Sequence, residues 1–346
     1  MIEKKLLLLY LYFGYNFFKL RNLIEKNFKD NLEKTIDLLF QKLEINEDEI
    51  IKRYNFDFNL ESYKGRIKFF FDRDFPDFLY ENNAGIIFYN GNWGLLDKGI
   101  FRISIVGSRK PLTVTSKFTN DVIKILSSLG NVVIVSGLAA GVDTICLREA
   151  LLNKMKSVAI LGNGIDYYYP YMNRSLQQKI AADGLVFSEY LPKQRPNKYF
   201  FPYRNRLISC VSEVIIVIQA SKNSGSLITG NYALEMGKTL IVPYLQNSEE
   251  FEGSKELINS GGIMITKPSE VLNFLPFVSN NVVAYKENYD SDYQVLEIIK
   301  NQPGIKIEKI SNILNIPLPK TVEIITNLEI EGKVYTDFNY SVFIIE

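Results

Sequence analysis

The sequence predicts an α/β protein built on a doubly wound, mainly parallel sheet, and three observations carry that prediction. Short runs of β-branched and apolar residues recur, as in Ile103–Val106, Val132–Val135 and Val214–Ile218. Strands this continuously apolar are buried on both faces, as a parallel sheet requires. Glycine turns close several of them, and segments of helical spacing follow, which is strand-turn-helix grammar. The expected architecture is a Rossmann-like sheet domain with a small N-terminal helical domain before it and a C-terminal winged helix after it.

Residues 1–65 form the predicted helical domain, because apolar positions recur at helical spacing, as at Leu32, Ile36, Leu39, Phe40 and Leu43. Lys4-Lys5 followed by Leu6–Phe18 imitates a signal peptide. The run is too short to span a bilayer, lacks a small-residue cleavage site, and is followed at once by Lys19 and Arg21. A buried amphipathic helix and a cytoplasmic protein, with no membrane partner, are expected.

Residues 66–276 form the predicted sheet domain. Aromatic strands fall at Ile67–Phe71 and Gly85–Tyr89, with a Phe75-Pro76 turn between them. Further strands are expected near Ile103–Val106, Val132–Val135, Val158–Leu161, Leu185–Phe187, Val214–Ile218, Thr239–Val242 and Ile263–Ile265. Helices are expected near Val114–Leu129, Ser226–Gly237 and Ser269–Phe274. Residues 277–291 lose periodicity and read as a linker. Within 292–346, helices at Tyr293–Lys300, Ile307–Leu314 and Pro319–Glu331 precede a hairpin of Lys333–Tyr335 with Val342–Ile345, the order of a winged helix. Its third helix sets Lys320 against Glu323, Glu329 and Glu331. A net-negative helix repels a phosphate backbone, so this domain reads as a protein-contact module.

Composition excludes several chemistries. The 346 residues include no histidine and only Cys146 and Cys210. That removes Ser-His-Asp and Cys-His catalysis, His-ligated metal, a disulfide framework and a structural zinc site. No metal and no cofactor are expected. The net charge of +1 hides a marked asymmetry. Residues 101–210 hold 15 basic and 6 acidic residues, whereas 241–346 hold 8 and 15. One half is built to meet a polyanion.

The candidate chemistry lies in four segments taken as strand ends: Gly107-Ser108-Arg109, Ser136-Gly137 through Asp143, Pro202–Arg206, and Ser224-Gly225-Ser226 through Thr229. Such turns bring backbone N–H groups and helix N-termini toward phosphate. Arg109 can grip a phosphate bidentately while neighbouring N–H groups hold its other oxygens. In Lys193–Arg206, Lys193, Arg195, Lys198, Arg204 and Arg206 interleave with Tyr199, Phe200, Phe201 and Tyr203. That pattern suits single-stranded nucleic acid, whose backbone attracts cations and whose bases stack on rings. If the segment is extended, Phe200 and Phe201 point opposite ways and one of them belongs to the core.

These motifs together resemble the DNA-processing protein A (DprA/Smf) family. They comprise Val106–Arg109, Ser136–Asp143, Leu161–Asp166 with Tyr169-Pro170, Ser188-Glu189-Tyr190, Phe201–Arg206 and Ser224–Thr229, in the family's order and spacing. The resemblance implies a single-stranded-DNA-binding protein of natural transformation and recombination. It would protect incoming DNA, displace single-strand-binding protein, load the RecA recombinase and dimerise through its sheet domain. It implies that Arg109, Lys198, Phe201 and Asn205 form the DNA pocket, with Gly107, Ser108, Ser136, Gly137, Arg204, Arg206, Ser224, Gly225, Ser226 and Thr229 around them. Cys146-Leu147 stands where the family usually carries Ala-His, which removes one polar side chain but leaves phosphate binding by Arg109 intact.

The alternative is a nucleotide-hydrolysing enzyme related to the lysine-decarboxylase-like phosphoribohydrolases. Hydrolysis needs a positioned acid or base, and Asp143, Asp166, Glu189 and Glu235 are its carriers near the turns. Each reads instead as a helix cap or a partner of Arg204 or Arg206, so a non-enzymatic protein is expected. A duplex-DNA repressor is disfavoured by the acidic third helix.

Overall fold

The structure, a computed structural model, describes residues 2–28, 31–55, 60–276, 280–337 and 339–345. Two compact units meet in sequence at Thr266 and Lys267.

The first unit opens with α1 (Ile2–Tyr12), α2 (Phe17–Asn27), α3 (Leu32–Lys42) and α4 (Glu47–Tyr54). Asn16, Asn31 and Asn46 cap the last three, each side-chain oxygen accepting an N–H of the first turn. The expected amphipathic run to Phe18 is instead broken after Tyr12, and Leu6 to Leu11 are buried all round. These helices dock on the sheet. Tyr10 Oη donates to the Glu189 carbonyl (3.3 Å), and the Phe17 ring occupies the space that Gly85 leaves by lacking a side chain. Among the described residues no helix is long and apolar enough to cross a membrane.

Nine strands follow: β1 (Ile67–Phe69), β2 (Ile86–Gly91), β3 (Phe101–Gly107), β4 (Val132–Ser136), β5 (Ser157–Ile160), β6 (Leu185–Ser188), β7 (Val214–Ile218), β8 (Thr239–Pro243) and β9 (Ile263–Ile265). Their spatial order is β1-β2-β6-β5-β4-β3-β7-β8-β9. All pairs from β6 to β9 are parallel, while β1 and β2 add an antiparallel edge. Between them run α5 (Asp77–Glu81), α6 (Thr113–Ser127), α7 (Val142–Leu152), α8 (Arg174–Asp183), α9 (Phe200–Val211), α10 (Gly225–Glu235) and α11 (Glu252–Asn259). The apolar strand runs are buried as expected, β4, β5 and β7 over their whole length.

The chain leaves β3 toward β4, β5 and β6, then returns to the other side of β3 as β7 and β8. Strand order therefore reverses at β3, with Ile103 registered against both Ile134 and Val214. A doubly wound sheet opens a crevice at that reversal, beyond the carboxyl ends of its strands.

Three sequence expectations need correction. The segment Pro202–Arg206 is not a strand end but lies inside α9, where Pro202 occupies the first turn and so breaks no hydrogen bond. Phe200 and Phe201 are thus separated by a helical turn angle rather than by strand alternation. The Ser269–Phe274 helix is a 3₁₀ segment, Pro268–Phe274.

The third correction falls in the second unit. Residues 277–291 were expected as a linker; 277–279 lie outside the described residues, but Asn280 onward belongs to α12 (Asn280–Asn301). Then come β10 (Ile305–Lys306), α13 (Ile307–Leu314), α14 (Leu318–Ile330), β11 (Val334–Thr336) and β12 (Ser341–Ile344). The hairpin of β11 and β12 gains β10 as a third antiparallel strand. Val295, Ile299, Ile310, Ile324, Leu328 and Val342 form this unit's own core. Lys320 on α14 is tied to Glu323 at 3.0 Å.

Candidate nucleic-acid interface

An open groove of about 780 Å³ occupies the crevice at the strand reversal. Gly107 ends β3 there, and a Cβ at this position would run into the Ile218 carbonyl of β7. The missing side chain lets the turn carrying Ser108 and Arg109 pass close to β7. Gln219, buried with φ +60°, ties the two turns together. Its Oε1 accepts from Leu112 N–H (2.9 Å) and Thr115 Oγ1 (2.7 Å). Gly141, at φ +85°, packs so closely on Ser108 and Arg109 that a Cβ would fall 2.7 Å from the Arg109 Cα. The first turn is therefore held from two sides.

Arg109 is exposed, and its guanidinium lies 5.6 Å from the centroid of the Phe201 ring. Phe201 stands in the first turn of α9, and Phe200, which opens the helix, stacks on Tyr190 with centroids 3.9 Å apart. Tyr15 packs edge-on against both. This anchor fixes the start of α9 and turns Phe201 toward the groove. Gly162 supplies its seat, since a Cβ there would sit 2.6 Å from Phe201 Cδ1. Tyr169 flanks the ring at 5.5 Å, and a recess of about 60 Å³ lies between Arg109, Gly137, Gly162, Tyr169 and Phe201. Exposed Lys198 adds a cation on the groove wall.

The floor is polar. Arg204 is buried, donating Nη1 to the carbonyls of Gly137 and Ile160 and Nε to Asn205 Oδ1 (3.1 Å). Burial pulls its pKa down to about 10, and the charge of Asp143 works against that pull. Asp143 is also buried, accepting from Gly137 N–H (3.0 Å) and Ala139 N–H (3.3 Å). Burial raises its carboxyl, while Arg204 and those N–H groups resist the rise. Asn205 Nδ2 reaches the Gly225 carbonyl at 2.9 Å, joining α9 to the start of α10. Ser224 caps α10, its Oγ accepting from Leu227 N–H and lying 2.9 Å from Ser226 Oγ. A helix N-terminus with backbone N–H groups thus faces the same cavity as Arg109 and Lys198.

The structure brings together Gly107, Ser108, Arg109, Lys198, Phe201, Arg204, Asn205, Ser224, Gly225, Ser226 and Thr229. Thr229 is only 1% exposed and contributes at the floor. Two predicted residues stand apart, and a third, Gly137, lines only the small recess beside Phe201. Ser136 is fully buried and donates to the Ile105 carbonyl (2.6 Å). Gly137 lies behind Arg204, where a Cβ would meet Nη2 at 2.6 Å. Arg206 faces away, clamped by Glu189. Lys110, Tyr169, Gln219, Asn223 and Glu250 line the groove without having been picked out as site residues. Only Tyr169 had a signal, as part of the Tyr-Pro pair.

The four carboxylates weighed for catalysis are placed as follows. Asp143 accepts two backbone N–H groups, Asp166 pairs with Arg66 at 2.5 Å, Glu189 pairs with Arg206, and Glu235 is exposed at the far end of α10. Leu147, in the position of the family's usual histidine, is fully buried.

A doubly wound α/β sheet with glycine turns, a helix N-terminus and cationic and aromatic side chains at its reversal places the protein in the Rossmann-like class, with a crevice of the kind that suits anions. A family model of the DNA recombination-mediator protein A matches residues 66–276, and the chain belongs to that family. It is 39% identical over 189 residues to the DNA processing protein DprA of Streptococcus pneumoniae, covering 54% of this chain and 65% of that protein. The chain thus spans less than two thirds of that relative's length. The solved structure of DprA from Streptococcus pneumoniae superposes with a TM-score of 0.60 at 32% identity, over 72% of this chain and 84% of that one. DNA processing protein A from Helicobacter pylori, described for its single-stranded-DNA binding mode, gives 0.52 at 31% identity, over 58% and 91%.

Proposed function

We propose that this protein binds single-stranded DNA in the groove at the strand reversal and serves DNA processing in natural transformation and recombination. The observation that carries the reading is Arg109 set over the Phe201 ring beside the α10 N-terminus. One unit can then hold a phosphate and stack the adjoining base. Family membership and the single-strand binding of the Helicobacter pylori relative support it.

The protein acts as a binder rather than an enzyme, a reading supported by the structural contacts that engage Asp143, Asp166 and Glu189. In its full role it protects the strand, takes it over from single-strand-binding protein and loads the RecA recombinase as a two-fold homodimer. A salt titration of the full chain tests the groove. The logarithm of affinity for single strands of any sequence should fall linearly with log salt, by about 0.7 per phosphate contacted. Arg109→Ala and Lys198→Ala should weaken all sequences alike and flatten that slope. A salt-independent affinity would overturn the reading.

A further inference from the structure

We propose that the bound strand continues out of the groove onto a second stacking subsite, an aromatic lip formed by Tyr171, Met172, Tyr168 and Arg174. The inference rests on the groove reading, and its occupant is the next nucleotide of the same single strand.

The lip begins where the groove wall ends. Tyr169 lines the groove beside Phe201, and Tyr171 follows two residues later, a Cα separation of at most about 7 Å. Tyr171 and Met172 are 70% and 75% exposed, although both are large and apolar enough to seek burial. Their exposure is not that of a loose loop. Asn173, the next residue, is buried and donates Nδ2 to the Leu138 carbonyl (3.0 Å) and Thr144 Oγ1 (2.7 Å). This pins the segment to the turn after β4 and to the first turn of α7, which carries Asp143 of the groove floor. Upstream, Asn163 Nδ2 holds the Tyr167 carbonyl at 2.8 Å. Downstream, Gln177 Nε2 holds that of Ile165 at 2.9 Å. A segment anchored on both sides presents its aromatic side chains outward with little further entropy to lose on binding.

The chemistry matches a nucleotide. The exposed Arg174 guanidinium lies 5.1 Å from the Tyr168 ring centroid and 3.3 Å from Tyr171 Oη. Among the described residues no carboxylate pairs with it. A cation held between tyrosines and without an acidic partner repeats the Arg109 and Phe201 arrangement one step outward. A base stacks on Tyr171 against Met172, and its phosphate meets Arg174. A hydrophobic protein partner would have no use for the unpaired guanidinium.

The test uses the full chain and homopolymeric single strands of graded length. Tyr171→Ala and Arg174→Ala should leave the shortest bound strands unaffected and weaken longer ones. The expected loss for Tyr171→Ala is about 5- to 150-fold, the worth of one stacked base. Tyr171→Phe should retain the affinity, and Tyr171→Leu should not. An abasic site at the position reaching the lip should erase the difference between wild type and Tyr171→Ala. No loss at any length, equal loss at all lengths, or rescue by Tyr171→Leu would overturn the lip. Arg109→Ala in the same series separates the two ideas. If it loses binding while the lip variants do not, only the lip fails; if it too binds normally, the groove reading fails.

Discussion

Arg204 and Arg206 stand two residues apart on α9 and serve opposite sides of it. Arg204 turns to the groove floor, where Nη1 holds the Gly137 and Ile160 carbonyls. Arg206 turns away, its Nη1 and Nη2 at 2.7 and 2.6 Å from the two oxygens of Glu189. Its remaining donors reach the carbonyls of Asn82, Asn83 and Tyr203, and its guanidinium stacks 3.8 Å over the Tyr203 ring. Residues two apart on a helix do not share a face, so one arginine builds the groove floor and the other braces the opposite side of the helix, both buried.

Removing Arg206 should therefore damage the fold and not the binding chemistry. Arg206→Ala leaves Glu189, 1% exposed, as an uncompensated buried charge, which costs about 3–5 kcal/mol. Urea melts should show that loss, while the protein remaining folded keeps its single-strand affinity. The double variant Arg206→Met/Glu189→Leu should recover much of the stability, because replacing both partners with apolar groups removes the stranded charge. A selective loss of affinity in a fully stable Arg206→Ala protein would return Arg206 to the site.

The seat of Phe201 gives a second prediction. In Gly162→Ala the added methyl meets the ring at 2.6 Å, so Phe201 must leave its position under Arg109. Gly162→Ala and Phe201→Ala should each weaken single-strand binding by about 1–3 kcal/mol, the worth of one stacked base. Combined, they should cost scarcely more than either alone, since both remove the same contact. Additive losses, measured by fluorescence anisotropy, would mean that Gly162 acts elsewhere.

These contrasts show what a sequence can and cannot disclose. The parallel strands were legible because burial on both faces selects unbroken β-branched runs, as in Val214–Ile218. The groove's turns were legible because close backbone approach demands glycine, as at Gly107 and Gly141. Arg206 was legible only in part: a carboxylate partner for it was expected among four candidates, but nothing local singles out Glu189 or turns the side chain away from the groove. The α9 start was misread because an aromatic run with proline looks extended, although proline is tolerated in a helix's first turn. The helix beginning at Asn280 was missed because residues 280–291 lack an apolar stripe. Tyr171 and Met172 drew no notice, since two exposed apolar residues gain meaning only from the buried Asn173 beside them.

A third prediction concerns pH. Burial raises the Asp292 carboxyl from 3.8 to about 6, with Glu331 and Glu323 adding to the shift and Lys333 and Lys320 opposing it. Between those values the folded state binds the proton that the unfolded state has lost. The Asp292 contribution to stability is therefore greatest at or below the ordinary carboxylate range and falls as pH rises through about 6. Asp292→Asn cannot ionise. Its stability relative to wild type should be near zero difference at about pH 4 and turn increasingly favourable up to about pH 7, with solvent screening moderating the size. Paired thermal melts across that range measure it, and a pH-independent difference would contradict the shift.

The last prediction tests the proposed dimer. The strand β9 closes one edge of the sheet, pairing only with β8 and leaving Met264 54% exposed. An edge strand offers unpaired backbone groups to a second chain unless something covers it. It also lies just where the basic part of the sequence has given way to the acidic one, 8 basic against 15 acidic residues over 241–346. Association through this edge of the sheet unit, two strands beyond β7 and its neighbour β3, would leave each Arg109 groove free for DNA. Sedimentation at micromolar protein should then show a dimer without DNA. A strand long enough to enter both grooves should gain about 10²- to 10⁴-fold over one filling a single groove, through effective concentration and with no new contact. Substituting Met264 with Lys at the edge should lower the dimer fraction and the length-dependent gain together, while affinity for the shortest strands stays the same. A strictly monomeric protein whose affinity stops rising once one groove is filled would leave the two-fold arrangement without support.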